Sequence, residues 1–235
     1  METSGGECSG SSDDANHLPT CSQPGTTIAR YLRRIVLLGP PLALAAIELT
    51  HPAHVAHNVV SAFFPVAGWW FVLHIIQFVL FALLSGSLFL LTADCRGVAT
   101  ITSRFATAVF VIFYNLGDAV IGVAAGALGR NANQLAHDAQ SGRAEAISVL
   151  FNEPVINGIY IVGRAAWFVA LLSAAVAIVR YRRAPVPAVF FALSGVLLAV
   201  FDHPGLFGSL AFASFFVGAV ILDAGSPRRA RWHKR

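Results

Sequence analysis

The stretch Trp69–Thr92, WWFVLHIIQFVLFALLSGSLFLLT, decides what kind of molecule this is. It contains no Asp, Glu, Lys or Arg, and it is longer than the ~20 apolar residues with which a helix crosses the hydrocarbon of a bilayer. Five more apolar runs lie around it: Ile35–Thr50, Phe105–Leu128, Val155–Val179, Val186–Phe201 and Leu206–Leu222. The composition agrees. Hydrophobic residues make up 56% of the 235 and charged residues only 12%, about half of what a soluble domain carries. A soluble enzyme, a nucleic-acid binder and a disulfide-stapled secreted domain are thereby excluded. The net charge of +4 belongs to loops beside membrane helices rather than to a nucleic-acid partner.

The expected fold is an all-α, polytopic membrane bundle of six transmembrane helices. Residues 1–29, rich in Ser, Gly, Asp, Thr and Pro, read as a disordered tail without the pattern of a secretory signal. Residues 30–224 form the membrane domain and 225–235 a basic tail. With six spans, 13 of the 16 Lys and Arg residues fall on the side of the two termini, only Arg130 and Arg143 fall on the other, and Arg164 lies within the fourth span. Basic residues stay inside, so both termini are expected in the cytoplasm of a multi-pass protein of the cell membrane. Gly39-Pro40-Pro41 is expected to kink or break the first span. After it, Pro52–Phe64 reads as a short amphipathic helix lying in the interface, with Pro at the favoured first position. The longest connection, Arg130–Pro154, carries a second amphipathic stretch near Arg143–Phe151.

Several small residues bear on packing. Gly122 and Gly126 form a GxxxG face, which reads chiefly as packing within the bundle and secondarily as a face for a homo-oligomer. Trp69, Trp70 and Trp167 read as members of interfacial aromatic belts. The 18 Phe residues would suit an isoprenoid or lipid tail, but lipid-facing bulk is the plainer reading. Cys8, Cys21 and Cys95 have neither a metal spacing nor a disulfide framework and are expected to be dispensable.

Charged and polar residues inside spans are costly and mark function by default. Here they share a depth. Glu48 lies 13 residues into the first span, or ~20 Å along a helix. His74 is near the outer end of the second span with Gln77 one turn deeper, and Asp118 is near the middle of the third, one turn from Tyr114 and Asn115. Asp202 and His203 close the last hairpin, and Arg164 is the intramembrane cation that could neutralise an acid such as Asp118. All fall between the midplane and the outer face, which points to one polar cavity opening outward. The competing reading is a set of structural hydrogen bonds and ion pairs.

Carboxylates beside histidines in a low-dielectric pocket suit proton transfer. Glu48, His74, Asp118, Asp202 and His203 are therefore the catalytic candidates, with Gln77, Tyr114, Asn115 and Arg164 placed for substrate. The expected function is an enzyme doing acid–base chemistry on a lipophilic, lipid-like or isoprenoid-like small molecule. The alternatives are a small proton-coupled transporter and a non-catalytic membrane subunit. The partners expected are membrane lipid and that lipophilic molecule, without nucleic acid. No cofactor is expected. A metal would draw on His51, His54 and His57, but their spacing spreads them over ~120° of a helix, too wide for three-point ligation. Haem lacks facing axial histidines, and the only lysine, Lys234, lies in the tail, which excludes a retinal Schiff base. GxSxG, HExxH, GxxxxGK[ST] and DDxxD runs are absent.

Overall fold

A computed structural model describes residues 25–52, 58–201 and 205–225. All regular structure among them is helical. In chain order the helices are α1 (Gly25–Glu48), α2 (Ala67–Leu91), α3 (Val98–Gly117), α4 (Ala125–Gly129), α5 (His137–Asn152), α6 (Pro154–Arg182), α7 (Pro185–Phe201) and α8 (Leu206–Ala224). A π-helical turn, Asp118–Ala124, joins α3 to α4 without a break, and the turns Val59–Phe63 and Phe64–Val66 run straight into α2.

Four helical stretches are long and apolar enough to cross a membrane: Val59–Leu91, Val98–Gly129, Pro154–Arg182 and Leu206–Ala224. The other two expected spans are helical as well. However, every 18-residue stretch of α1 holds three charges, Arg33 and Arg34 with either Arg30 or Glu48. The 17 residues of α7 reach only ~26 Å at 1.5 Å per residue, against ~30 Å of hydrocarbon.

Two local expectations need correction. α1 continues through Pro40 and Pro41. Pro40 has no N–H to give to the carbonyl of Val36, four residues earlier, and Ser87 of α2 supplies the missing donor, its Oγ donating to Val36 O. The interfacial helix expected over Pro52–Phe64 is not a separate element where it is described. Asn58 caps it, accepting from Ser61 N at 3.0 Å, and residues 59–66 extend α2. Residues 53–57 lie outside the described residues.

The helices close into a ring in which α1 packs on α2, α2 on α3 and its π turn, α3 on α6, α6 on α7, α7 on α8, and α8 back on α1. Aromatic rings fill its middle. Phe110 packs on Trp167 at 4.6 Å, Phe81 on Tyr114 at 4.9 Å, and Phe191 on Phe215 at 5.1 Å. All six rings are buried. Much of the phenylalanine thus serves an aromatic core rather than a lipid-facing surface, and Trp167 belongs to that core rather than to a belt.

The two ends of the ring differ. At one end Arg34 Nε pairs with Asp223 at 3.0 Å and Arg182 with Asp94 at 3.4 Å, so the start of α1 meets the end of α8. Cys95 is buried there, and burial pushes its thiol above the ordinary range against the opposing charge of Arg182. Gly97, at φ +85°, adopts a conformation that suits glycine and also makes room for the Tyr181 hydroxyl. At the other end Trp69 donates to Thr50 O at 3.1 Å. There too α5 rests on the bundle through Ile147 and Phe151, with Arg143 donating to Leu128 O at 3.1 Å.

A candidate polar centre between the first three helices

α2 presents Trp70, His74 and Gln77 at helical spacing on one buried face. The three reach different neighbours. Gln77 Nε2 donates to Glu48 Oε1 at 2.6 Å, which ties α2 to the last turn of α1. His74 Nε2 lies 3.6 Å from Asp118 Oδ1 on the π turn, and Tyr160 Oη of α6 donates to the same oxygen at 3.4 Å. Glu48, His74, Gln77 and Asp118 are each at most 1% exposed.

His74 sits in a defined tautomer. Its Nδ1 is 2.7 Å from the carbonyl oxygen of Trp70. A carbonyl only accepts, so Nδ1 carries a hydrogen, and the ring's exchangeable position is Nε2, which faces Asp118. The Trp70 ring lies 4.5 Å from the His74 ring at a tilt of 35°. Its own Nε1 donates to Ile121 O at 3.2 Å, a carbonyl inside the π turn. A β-carbon at Gly122 would collide with the His74 ring, so glycine at 122 is what lets the imidazole approach the third helical segment. Single π turns of this kind are rare and occur often at functional sites, because they re-aim the side chains around them.

The remaining expected residues divide. Tyr114 is buried in the aromatic core, 5.4 Å from the Tyr160 ring and 4.9 Å from Phe81. Asn115 is buried one turn from Asp118, with no hydrogen-bond partner for its Oδ1 among the described residues. Arg164 reaches the end of α7 with two of its donors. Its Nε and Nη2 donate to Leu198 O at 3.2 Å and Ala199 O at 2.6 Å, capping the carbonyl end of α7. Asp202, His203, His54 and His57 lie outside the described residues. His51 packs edge-on against Trp70 at 4.9 Å and His74 at 5.3 Å. Among the described residues no three His, Cys, Asp or Glu side chains come together as a metal site.

The GxxxG face is occupied within the chain. Gly122 meets His74, Gly126 meets the backbone of Phe71, and Gly129 meets Phe63 and Ala67. This is the packing within the bundle that the spacing of the glycines leads one to expect.

Two contributors, Trp70 and Tyr160, escape the sequence reading as parts of this centre, and Gly122 is read there only as part of a packing face. Trp70 was assigned to an interfacial belt, yet its position four residues before His74 places it on the same face. Gly122 bears the same relation to Asp118. Tyr160 carries no signal, since its place depends on how α6 packs against α3. Comparison with protein-family models, with curated proteins and with solved structures finds no match.

Proposed function

We propose that this chain is a six-span membrane protein with cytoplasmic termini, in which the His74–Asp118 pair performs acid–base chemistry on a lipophilic small molecule. The observation that carries this reading is the tautomer of His74. With Nδ1 held by the Trp70 carbonyl, a proton gained or lost by the ring moves at Nε2, and Nε2 faces a buried carboxyl group. That is the arrangement of a general acid–base pair whose second ring nitrogen is fixed by a backbone acceptor.

The rival reading as a proton-coupled transporter needs a path through to the other face. From His74 and Asp118 toward the end that holds the Asp94–Arg182 pair, the bundle is filled by Tyr114, Phe81, Phe110 and Trp167. That filling favours chemistry confined to one leaflet. A non-catalytic subunit would use the same groups as structural links, and stability measurements separate that case.

The test compares lipid-soluble metabolites, by untargeted mass spectrometry, in host membranes containing the wild type, H74Q or D118N. The wild type should change the abundance of at least one lipophilic compound, and both variants should abolish the change while keeping the wild-type melting temperature in detergent. Stable variants that alter the profile as the wild type does would overturn the proposal.

A further inference from the structure

We infer that α5 is a lid over the His74–Asp118 pair, which lifts to admit an apolar molecule and draws Phe151 away from Trp70 as it does so. The inference deepens the reading above and rests on that pair being the reacting centre. His74 and Asp118 are at most 1% exposed, so a reactant reaches them only when some part of the bundle moves aside. α5 is loosely held. The ring closes through α1, α2, α3, α6, α7 and α8 without it. Ile147 is the one buried residue among its 16, whereas α2 buries a residue at every turn. Its polar fastening is open to solvent: Arg143 Nη1 donates to Leu128 O at 3.1 Å and to Arg130 O at 3.4 Å. Few buried apolar contacts and solvent-exposed hydrogen bonds mark the segments of a protein that open most easily.

Both ends of α5 can hinge. Before it the chain turns through Asn131 at φ 62°, a left-handed conformation that Asn tolerates, and after it Glu153 is extended between two helices. The underside of α5 leads to the centre. Phe151 packs edge-on against Phe63 at 5.5 Å and Trp70 at 6.0 Å, and Trp70 lies 4.5 Å from His74. α5 also touches the π turn that carries Asp118. With α5 raised, the space that Phe151 leaves is walled by Phe63 and Trp70 and ends at the imidazole. It suits an apolar end group the size of the phenyl ring that it replaces. Closure over such a group keeps water from the pair while the proton moves.

Diethyl pyrocarbonate, a small apolar reagent that acylates an unprotonated imidazole nitrogen, tests access to His74. It is applied to the full chain in lipid nanodiscs, and the modified peptides are read by mass spectrometry. His137, exposed on α5, gives the reference rate, and His74 of the wild type should react far more slowly. R143A and F151A should each raise the His74 rate at least about fivefold, in line with the loss of one ordinary hydrogen bond or more. Amide exchange in the middle of α2 and α6 should stay as slow as in the wild type. Arg143 stands outside the ring, so R143A keeps the test open even where F151A fails to fold. A His74 rate equal to that of His137 in the wild type, or one that the folded variants do not raise, overturns the lid. So does a rise accompanied by faster exchange throughout α2 and α6, which is general loosening. None of these results depends on the chemistry of the pair, whose own failure shows instead as H74Q and D118N variants that alter the lipophilic compounds as the wild type does.

Discussion

An alanine at position 122 tests how closely the centre is built. Its methyl carbon would stand 2.6 Å from His74 Cβ and overlap the ring carbons, so His74 or the π turn has to move. Overpacking of this kind costs ~1–3 kcal/mol. G122A should lower the melting temperature and also weaken the change in lipophilic compounds expected from the His74–Asp118 pair, since displacing the ring opens the contact with Asp118. An unchanged melting temperature and an unchanged compound profile would mean that the His74 ring can move aside at no cost. At this scale the sequence is legible for residues that are costly in a membrane. Glu48, His74, Gln77 and Asp118 stand out because hydrocarbon penalises them, and α2 draws all four together. Glycine and tryptophan at 122 and 70 cost nothing in a membrane, so their roles appear only once two helices are laid side by side.

At the scale of the element, hydropathy reports where hydrocarbon lies rather than where hydrogen bonding stops. The helical core of each expected span is present, but its ends run further. Val59–Leu91 covers 33 residues, or ~50 Å at 1.5 Å per residue, well beyond the ~30 Å of hydrocarbon. This is also why residues 59–64, which look like a separate interfacial helix, continue into α2. The proline pair in α1 illustrates a different limit, because the donor that rescues the helix belongs to another element. Ser87 Oγ donates to Val36 O, the carbonyl that Pro40 leaves open. S87A should therefore destabilise the protein by ~1–3 kcal/mol, the cost of a buried acceptor left unsatisfied. In a P40A background the new N–H of residue 40 can take the Val36 carbonyl, and the same S87A change should cost less. A double-mutant cycle on the melting transition measures the difference. Equal costs in both backgrounds would show that Ser87 acts through its other acceptor, Leu83 O, at 3.0 Å.

At the scale of the whole molecule, the ring of helices has a charged end and a polar end, and the orientation of the bundle decides which leaflet the His74–Asp118 pair serves. The pairing of Arg33 and Arg34 with Asp223 joins the start of α1 to the end of α8. Reporters fused to the two termini must therefore give the same answer. Which answer they give follows from charge. Arg33, Arg34, Arg96, Arg104, Arg180, Arg182 and Arg183 gather toward that end, whereas Arg130 and Arg143 lie toward the other. Short basic segments are retained in the cytoplasm, so both reporters should read inside, and one inserted near Gly142, an open position on α5, should read outside. Opposite readings from the two termini would break the ring. Agreement on the outside would keep the ring but turn the His74–Asp118 pair toward the cytoplasm, and the proposed lipophilic substrate would then have to be sought in the inner leaflet.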